Sequence, residues 1–403
     1  MILPERHDRT PSPRIAIVHD WLVVSAGGES VLRDLLVAFP EARVFSLIEK
    51  LTETDRADLG LGVVHTSVLQ HVPGIAQRYR QFLPVMPLAM RSLDVSDFDI
   101  VISVSHAVAK GIRTHDRQLH LCYCLSPMRY AWDLREQYLQ ESGLNGTARG
   151  RVARLLLNRL QRWDAKNSKD VDEFLTLSNY IRERIQRAYQ RDAAVIYPPV
   201  DTDFFTPSGE ARGEYYITAS RFVPYKRIDM IAEAFADLPD RRLVIVGTGP
   251  DDAKIRALAG PNVELLGYQS RTALRRLLQG ARAFVFAADE DFGIAPVEAQ
   301  ACGIPVIAFG RGGATETVRG LDAAEPTGLL YGEQSAEGLA EAIRTFESAS
   351  GQGRFSADAC RRNAERFSRE RFRREFRRAL EAAWGRHVEL MGPGGFEPPH
   401  FGL

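Results

Sequence analysis

Phe284-Val285-Phe286-Ala287-Ala288-Asp289-Glu290-Asp291-Phe292-Gly293-Ile294-Ala295-Pro296-Val297-Glu298-Ala299-Gln300-Ala301-Cys302-Gly303 reads as one strand, one loop and one helix. An apolar run suited to a buried strand enters an acidic turn. A glycine follows, and Pro296 opens a short helix that stops at Gly303, since proline is tolerated in the first helical turn and glycine favours the position past the last. A strand that feeds a helix directly is the unit of a parallel α/β sheet.

The same alternation extends outward. Strands are expected at 14–20, 42–48, 99–105 and 119–125, with a helix at 28–39. After a break they recur at 215–220, 242–246, 263–266, 283–287 and 305–309, with a helix at 226–238. The fold class is therefore α/β, with two Rossmann-like doubly wound domains; facing one another, they would enclose a ligand cleft. The paired prolines of Tyr197-Pro198-Pro199-Val200-Asp201 stiffen an extended segment and mark the hinge. This places an N-terminal domain at 14–198, a C-terminal domain at 199–365, a C-terminal helix at 366–390 and a disordered tail at 391–403. Residues 356–387 read as one helical stretch whose stripe of Phe367, Phe372, Phe376, Leu380 and Trp384 packs back on the first domain.

Composition narrows the class. The 403 residues suit two sizeable domains, and 45% hydrophobic with 26% charged residues is the globular range, against a disordered or fibrous chain. Lysine plus arginine (52) equals aspartate plus glutamate (52), so no global field draws in nucleic acid, and an anionic partner must be held by local groups. The four cysteines form no CxxC pair, which points away from a disulfide framework or zinc site and towards a reducing compartment. The start lacks the apolar core of a secretion signal, so the expected location is cytoplasmic, with at most a peripheral attachment to the inner face of the plasma membrane.

In doubly wound sheets, ligands bind beyond the carboxyl ends of the strands, so the loops there hold the candidates. Glu290 lies on such a loop and Glu298 in the first turns of the helix; both can point into a cleft, or serve only as helix-start acids that complement the dipole. The peptide groups of Phe292, Gly293 and Ile294 stand at the helix entrance, where N–H groups favour an oxygen-rich ligand. Arg221 and Lys226 follow the strand at 215–220 and can converge on a diphosphate, or be solvated loop cations. Gly27-Gly28, Gly247-Thr248-Gly249 and Gly310-Arg311-Gly312-Gly313 allow close approach of backbone to phosphate, or simply form turns. None makes a GxGxxG or GxxxxGK[ST] fingerprint, which leaves a nicotinamide cofactor or an ATPase weakly supported. His106 follows the strand at 99–105 and invites a ligand contact or proton relay. No GxSxG elbow or HExxH helix is present.

Taken in order, these segments resemble the retaining glycosyltransferases of family GT4, which have the two-Rossmann GT-B fold. The resemblance covers nearly the whole chain and rests on Gly27-Gly28, His106, the Tyr197 to Asp201 linker, Ser220-Arg221-Phe222-Val223-Pro224-Tyr225-Lys226-Arg227, Gly247-Thr248-Gly249-Pro250-Asp251, the Glu290 and Glu298 pair, and Gly313-Ala314-Thr315-Glu316-Thr317-Val318. It implies that Arg221 and Lys226 bind the donor diphosphate and Glu298 the ribose hydroxyls. Glu290 and the amides of Phe292, Gly293 and Ile294 would hold the hexose, with Asp291 among the donor-binding residues; His106 would touch that sugar, Gly28 would approach the phosphate, and Gly247 and Tyr268 would lie near the nucleoside. No metal or other cofactor is implied.

His19-Asp20-Trp21-Leu22 and the stretch 124–133 are similar to bacterial mannosyltransferases that use GDP-mannose to build lipid-linked surface polysaccharide. No single residue decides guanine over uracil. The resemblance implies front-face transfer of a hexose to a saccharide or polyprenyl-linked acceptor. A sugar-nucleotide epimerase or hydrolase of the same fold, or a non-catalytic nucleotide-sugar sensor, are the alternatives. Residues 149–164 carry Arg149, Arg151, Arg154, Arg159 and Arg162 among Leu155, Leu156, Leu160 and Trp163. That pattern suits either a basic helix on an anionic membrane, with the apolar run 82–88 beside it, or a core-packing helix with a solvated face.

Overall fold

The computed structural model describes residues 13–24, 27–132, 147–210 and 212–391. The chain divides into two units. The first takes in the residues up to Leu177, Ile181–Tyr197 and those from Phe372 onward; the second takes in Ser178–Tyr180 and Pro198–Arg371. The expected tail, 392–403, and Asp133 lie outside the described residues.

The first unit is built on β1 (Ile15–His19), β2 (Arg43–Ser46), β3 (Val64–Thr66), β4 (Ile100–Ser105), β5 (Leu119–Cys124), β6 (Glu173–Thr176) and β7 (Ala194–Val195), in the spatial order β3-β2-β1-β4-β5-β6-β7. The second has β8 (Tyr215–Ala219), β9 (Arg242–Val246), β10 (Val263–Gly267), β11 (Ala283–Phe286), β12 (Val306–Phe309) and β13 (Gly328–Tyr331), in the order β10-β9-β8-β11-β12-β13. Neighbouring strands run parallel throughout. Helices cover both faces of such sheets, so the inner strands are buried end to end. β1, β4 and β5 accordingly read as runs of apolar and small residues without alternation. Strand order reverses between β1 and β4 and again between β8 and β11. These are the points where doubly wound sheets open a crevice.

The two Rossmann-like units match the sequence reading. β3, β6, β7 and β13, of two to four residues each, escape it, because runs that short carry little periodic signal. Two helices also differ from expectation. The helix expected at 226–238 begins only at Ile228 and ends at Ala236. Pro224–Lys226 forms a 3-10 turn, and Arg227, in the left-handed region with φ 54°, separates it from the helix. The stretch expected at 356–387 is two helices, Ala357–Glu365 and Arg369–Met391.

Phe367 occupies the break. Its ring is fully buried against Phe292, with centroids 5.4 Å apart, and its carbonyl accepts the N–H of Val200 at 2.8 Å. The aromatic stripe is thus split between two cores. Phe367 serves the second unit, while Phe372 and Phe376 pack on Tyr123 of β5, and Phe376 also meets Phe39 at 6.2 Å. The terminal helix packs back on the first unit, as expected. Arg377 donates to the Ala38 carbonyl at 3.1 Å, and Arg373 lies 3.5 Å from the buried Asp34 carboxylate.

Phe376→Ala empties a site that is fully buried. It should cost the first unit about 3–5 kcal/mol, read as a lowered urea midpoint with unchanged slope. A loss below about 1 kcal/mol would mean that the helix is not part of that core.

Candidate active site

In the second unit, the loops at the carboxyl ends of β8, β11, β12 and β13 meet around residues 287–293. Gln334, just past β13, donates to the Ala287 carbonyl at 2.8 Å, and the Gly313 amide, past β12, donates to the Glu290 carbonyl at 2.7 Å. Lys226, past β8, forms an ion pair with the Glu290 carboxylate, both side chains being less than a fifth exposed. Arg311 lies 3.2 Å from Asp289.

Glycines make this convergence possible. A Cβ on Gly312 would stand 2.3 Å from the Glu290 carbonyl oxygen, and one on Gly313 would stand 2.2 Å from Phe292 Cα. On the other side of β8, Gly247 has φ 137°, and a Cβ there would fall 1.8 Å from the Ser220 carbonyl oxygen. These loops pack backbone on backbone, and side chains at the three positions would push them apart.

Gly293, at φ 86°, turns the acidic loop into the helix Ile294–Ala301, which starts without a side-chain cap. The helix begins two residues before Pro296, so the proline sits in its first turn rather than opening it. Phe292 is buried and anchors the entrance. Asp291 lies on the same loop, and Tyr268, directly after β10, holds its ring in solvent at 79% exposure.

Glu298 sits one turn further along the helix and has different neighbours from Glu290. Burial pushes its carboxyl up to about 7, opposed by Arg271 and reinforced by Asp201. Asp201 is held by Arg271 at 2.7 Å and Arg369 at 3.3 Å. The sequence left open whether the two glutamates act together. The structure groups Glu290 with Lys226, and Glu298 with the Asp201 and Arg271 pair. Arg221 stays exposed at the end of β8.

The first unit gathers a second set of groups at its own switch point. Asp20, directly after β1, is fully buried. Its Oδ2 accepts the amides of His106 and Ala107 at 2.6 and 2.9 Å, and its Oδ1 those of Val108 and Ala109, both at 2.6 Å. His106 Nδ1 stands 3.0 Å from the same carboxylate, with Trp21 edge-on to its ring at 4.6 Å. Gly27 and Gly28 begin the helix Gly27–Ala38, one residue earlier than expected; a Cβ on Gly28 would meet Leu125 at 3.1 Å and His19 Nε2 at 3.8 Å. Sequence reading singled out His106 but not Asp20. The available signal was an acid placed directly after an otherwise apolar buried strand.

Residues 201–367 match the family model described as glycosyl transferases group 1. The matched residues fall within the second unit. A GDP-mannose-dependent alpha-(1-6)-phosphatidylinositol monomannoside mannosyltransferase of Mycolicibacterium smegmatis is 34% identical over 201 residues, 41% of this chain and 50% of that protein. A D-inositol 3-phosphate glycosyltransferase of Mycobacteroides abscessus is 31% identical over 199 residues, 44% of this chain and 42% of its own length. The chain thus spans about half the length of the curated relatives it matches.

Among solved structures, the sucrose-phosphate synthase of Thermosynechococcus elongatus superposes with a TM-score of 0.67 at 18% identity, over 93% of this chain and 100% of the other. Anabaena HepE in complex with UDP and glucose does so with 0.63 at 19%, over 92% and 99%. The fold shared with these neighbours is GT-B, and in the second unit the converging loops surround the β8 and β11 switch point.

The raised Glu298 pKa has a consequence for stability. Its folded pKa of about 7 lies above the ordinary 4.5. Ionising it therefore costs the folded state nothing below pH 4.5, an increasing amount between 4.5 and 7, and the full amount above. Glu298→Gln should stabilise the ligand-free protein at pH 8 by about 1–3 kcal/mol and leave it nearly unchanged at pH 4.5. Urea melts at the two pH values measure this, and an equal effect at both would refute the buried-carboxyl account.

Proposed function

We propose that the protein is a retaining hexosyltransferase that moves mannose from GDP-mannose to a saccharide or lipid-linked saccharide acceptor. The observation that carries this reading is the Lys226 and Glu290 pair at the strand ends of a group 1 glycosyl transferase domain. Without donor, each neutralises the other, both side chains being less than a fifth exposed. With donor, the ammonium turns to the diphosphate and the carboxylate is released to accept hexose hydroxyls. Arg221, exposed at the end of β8, would add a bidentate fork for the same phosphates.

The chemistry follows from where charge develops. As the bond between the anomeric carbon and the diphosphate oxygen breaks, negative charge grows on the departing phosphate. Lys226, Arg221 and the helix-entrance amides of Phe292, Gly293 and Ile294 are fixed to stabilise it, so this reading requires no metal. The acceptor hydroxyl oxygen bonds to the anomeric carbon on the face that the phosphate leaves, and its proton passes to a phosphate oxygen. Glu298 holds the ribose side and Asp291 is a further donor-binding residue; Gly247 and Tyr268 flank the base; His106 touches the sugar, and Gly27 and Gly28 approach the phosphates.

The relatives named for GDP-mannose support guanine and mannose. The UDP-bound neighbours, under 20% identical, speak for the fold alone.

The acceptor side is read from the helix Ala148–Asn167. Leu157 and Leu160 are buried and Asp164 is paired with Lys110, so one face belongs to the core. Val152, Leu155 and Leu156 are exposed beside Arg151, Arg159 and Arg162, and Leu88 of the 82–88 run is exposed as well. An outer face of this kind suits an anionic leaflet carrying a lipid-linked acceptor. No helix among the described residues is long and apolar enough to cross a membrane.

A thermal-shift panel of GDP, GDP-mannose, UDP and UDP-glucose should show a rise with the guanine ligands that grows with occupancy; a rise with uracil ligands alone overturns the donor, and none at all overturns the site. Lys226→Met and Arg221→Met should each cut turnover by about 10² to 10³, and unchanged turnover would remove them from the diphosphate. Co-sedimentation with anionic vesicles at low salt should fall in an Arg159→Glu, Arg162→Glu variant. Equal sedimentation would refute docking by that face.

A further inference from the structure

A fully buried polar cluster of the first unit is built around Asp20, a carboxylate to which the sequence assigned no role of its own. Asp20 is fully buried and takes four backbone N–H groups and one ring nitrogen, all from the four residues 106–109 that follow β4. A turn could be capped with fewer contacts. The fifth one is different in kind, because it reaches a side chain instead of the backbone. With Nδ1 held by Asp20, the second ring nitrogen of His106, Nε2, is left as the one able to meet a ligand, and the ring remains 31% exposed. Carboxylates in this arrangement decide which ring nitrogen carries the proton and which way the imidazole faces.

We propose that Asp20 is a positioning residue of the transferase: by binding His106 Nδ1–H together with the amides of residues 106–109, it locks the imidazole so that Nε2 is the nitrogen presented to a ligand. The inference rests on the hexosyltransferase reading above and adds to it a residue and a role.

The surroundings agree with this. Burial works against the charged forms of both groups, yet each outweighs it for the other: Asp20 is held below the usual carboxylate range and His106 above the usual imidazole range. The charged and titratable neighbours of His106 are Asp20 and His19 from the β1 end, Glu29 from the helix Gly27–Ala38, and Arg129 after β5. Burial keeps His19 below the ordinary imidazole value, so it competes little for the proton, and Arg129 opposes protonation.

The turn is anchored at its other end too. Lys110, fully buried, donates to the Ala107 carbonyl at 2.9 Å and meets the buried Asp164 at 2.5 Å; Asp164 also accepts from Trp132 Nε1 at 2.9 Å and Tyr189 OH at 2.7 Å. His106 therefore stands on a segment whose backbone has no slack.

The test begins with the intact wild-type protein. Ring-nitrogen NMR should show a histidine with Nδ1 protonated throughout its titration and a pKa above the ordinary value, its resonances assigned by their loss in His106→Gln. In Asp20→Asn, that pKa should fall by about one unit or more, the corresponding limb of the turnover pH profile should move with it, and kcat should drop roughly ten- to a hundredfold with donor KM changed less. In a His106→Gln background, Asp20→Asn should cause little further loss of kcat in the folded fraction.

A neutral His106 ring that carries its proton on Nε2 instead of Nδ1 in the wild type, an unmoved pH limb, or a full additional loss in the double variant would each overturn the proposal. Should Asp20→Asn fail to fold, the wild-type tautomer and the stability difference between wild type and His106→Gln still decide. Because the folded pKa of His106 is raised, that difference should be largest below its unfolded pKa and vanish as pH rises through the folded one. These NMR and stability measurements need no substrate, so absence of any transfer activity would count against the hexosyltransferase reading without touching the Asp20 and His106 pair.

Discussion

A parallel sheet delivers the carboxyl ends of all its strands to one edge, and the rest of this structure answers to that constraint. In the second unit, four loops leaving neighbouring strands must share the space above β8 and β11. They fit because Gly247, Gly312 and Gly313 let carbonyls and Cα atoms approach where a side chain would intrude. What these glycines secure is contact between loops. Once the loops are packed, Lys226 and Glu290 are brought together from positions 64 residues apart in the chain.

Charge inside both units follows one rule: a buried ion is kept only with partners that satisfy it. Asp20 has five donors, Lys110 has Asp164 and a carbonyl, and Asp201 has two arginines. Glu298 is the group whose ionisation burial penalises most visibly among the site carboxyls. The Lys226 and Glu290 pair is the complementary case, two ions satisfied by each other and available for exchange.

Much was legible along the chain because the signals were local. Apolar runs leading into Gly-rich or acidic loops announced the inner strands and both doubly wound units. Glu290, Lys226 and His106 stood out because each follows a strand that the pattern already marked. The two misread helices have separate causes: in the last stretch the periodicity continues across the break because the interrupting residue is itself apolar, and in the other a charged residue turns left-handed. Phe367 keeps the period of the final stretch while its ring turns into the other core, and Arg227 gives no hint that it adopts a left-handed conformation.

The sequence by itself determined the element types, the two-unit order and the strand-end residues, since these depend on periods of two or 3.6 residues and on turn chemistry within a few positions. Only the tertiary structure decided which of those residues meet: that Glu290 answers Lys226 while Glu298 answers Asp201 and Arg271, and that Asp20 reaches across 86 positions to hold His106. Contacts of that range are set by the order in which strands lie side by side, β1 beside β4 and β8 beside β11. That order is a property of the closed sheet and is written in no single segment of the chain.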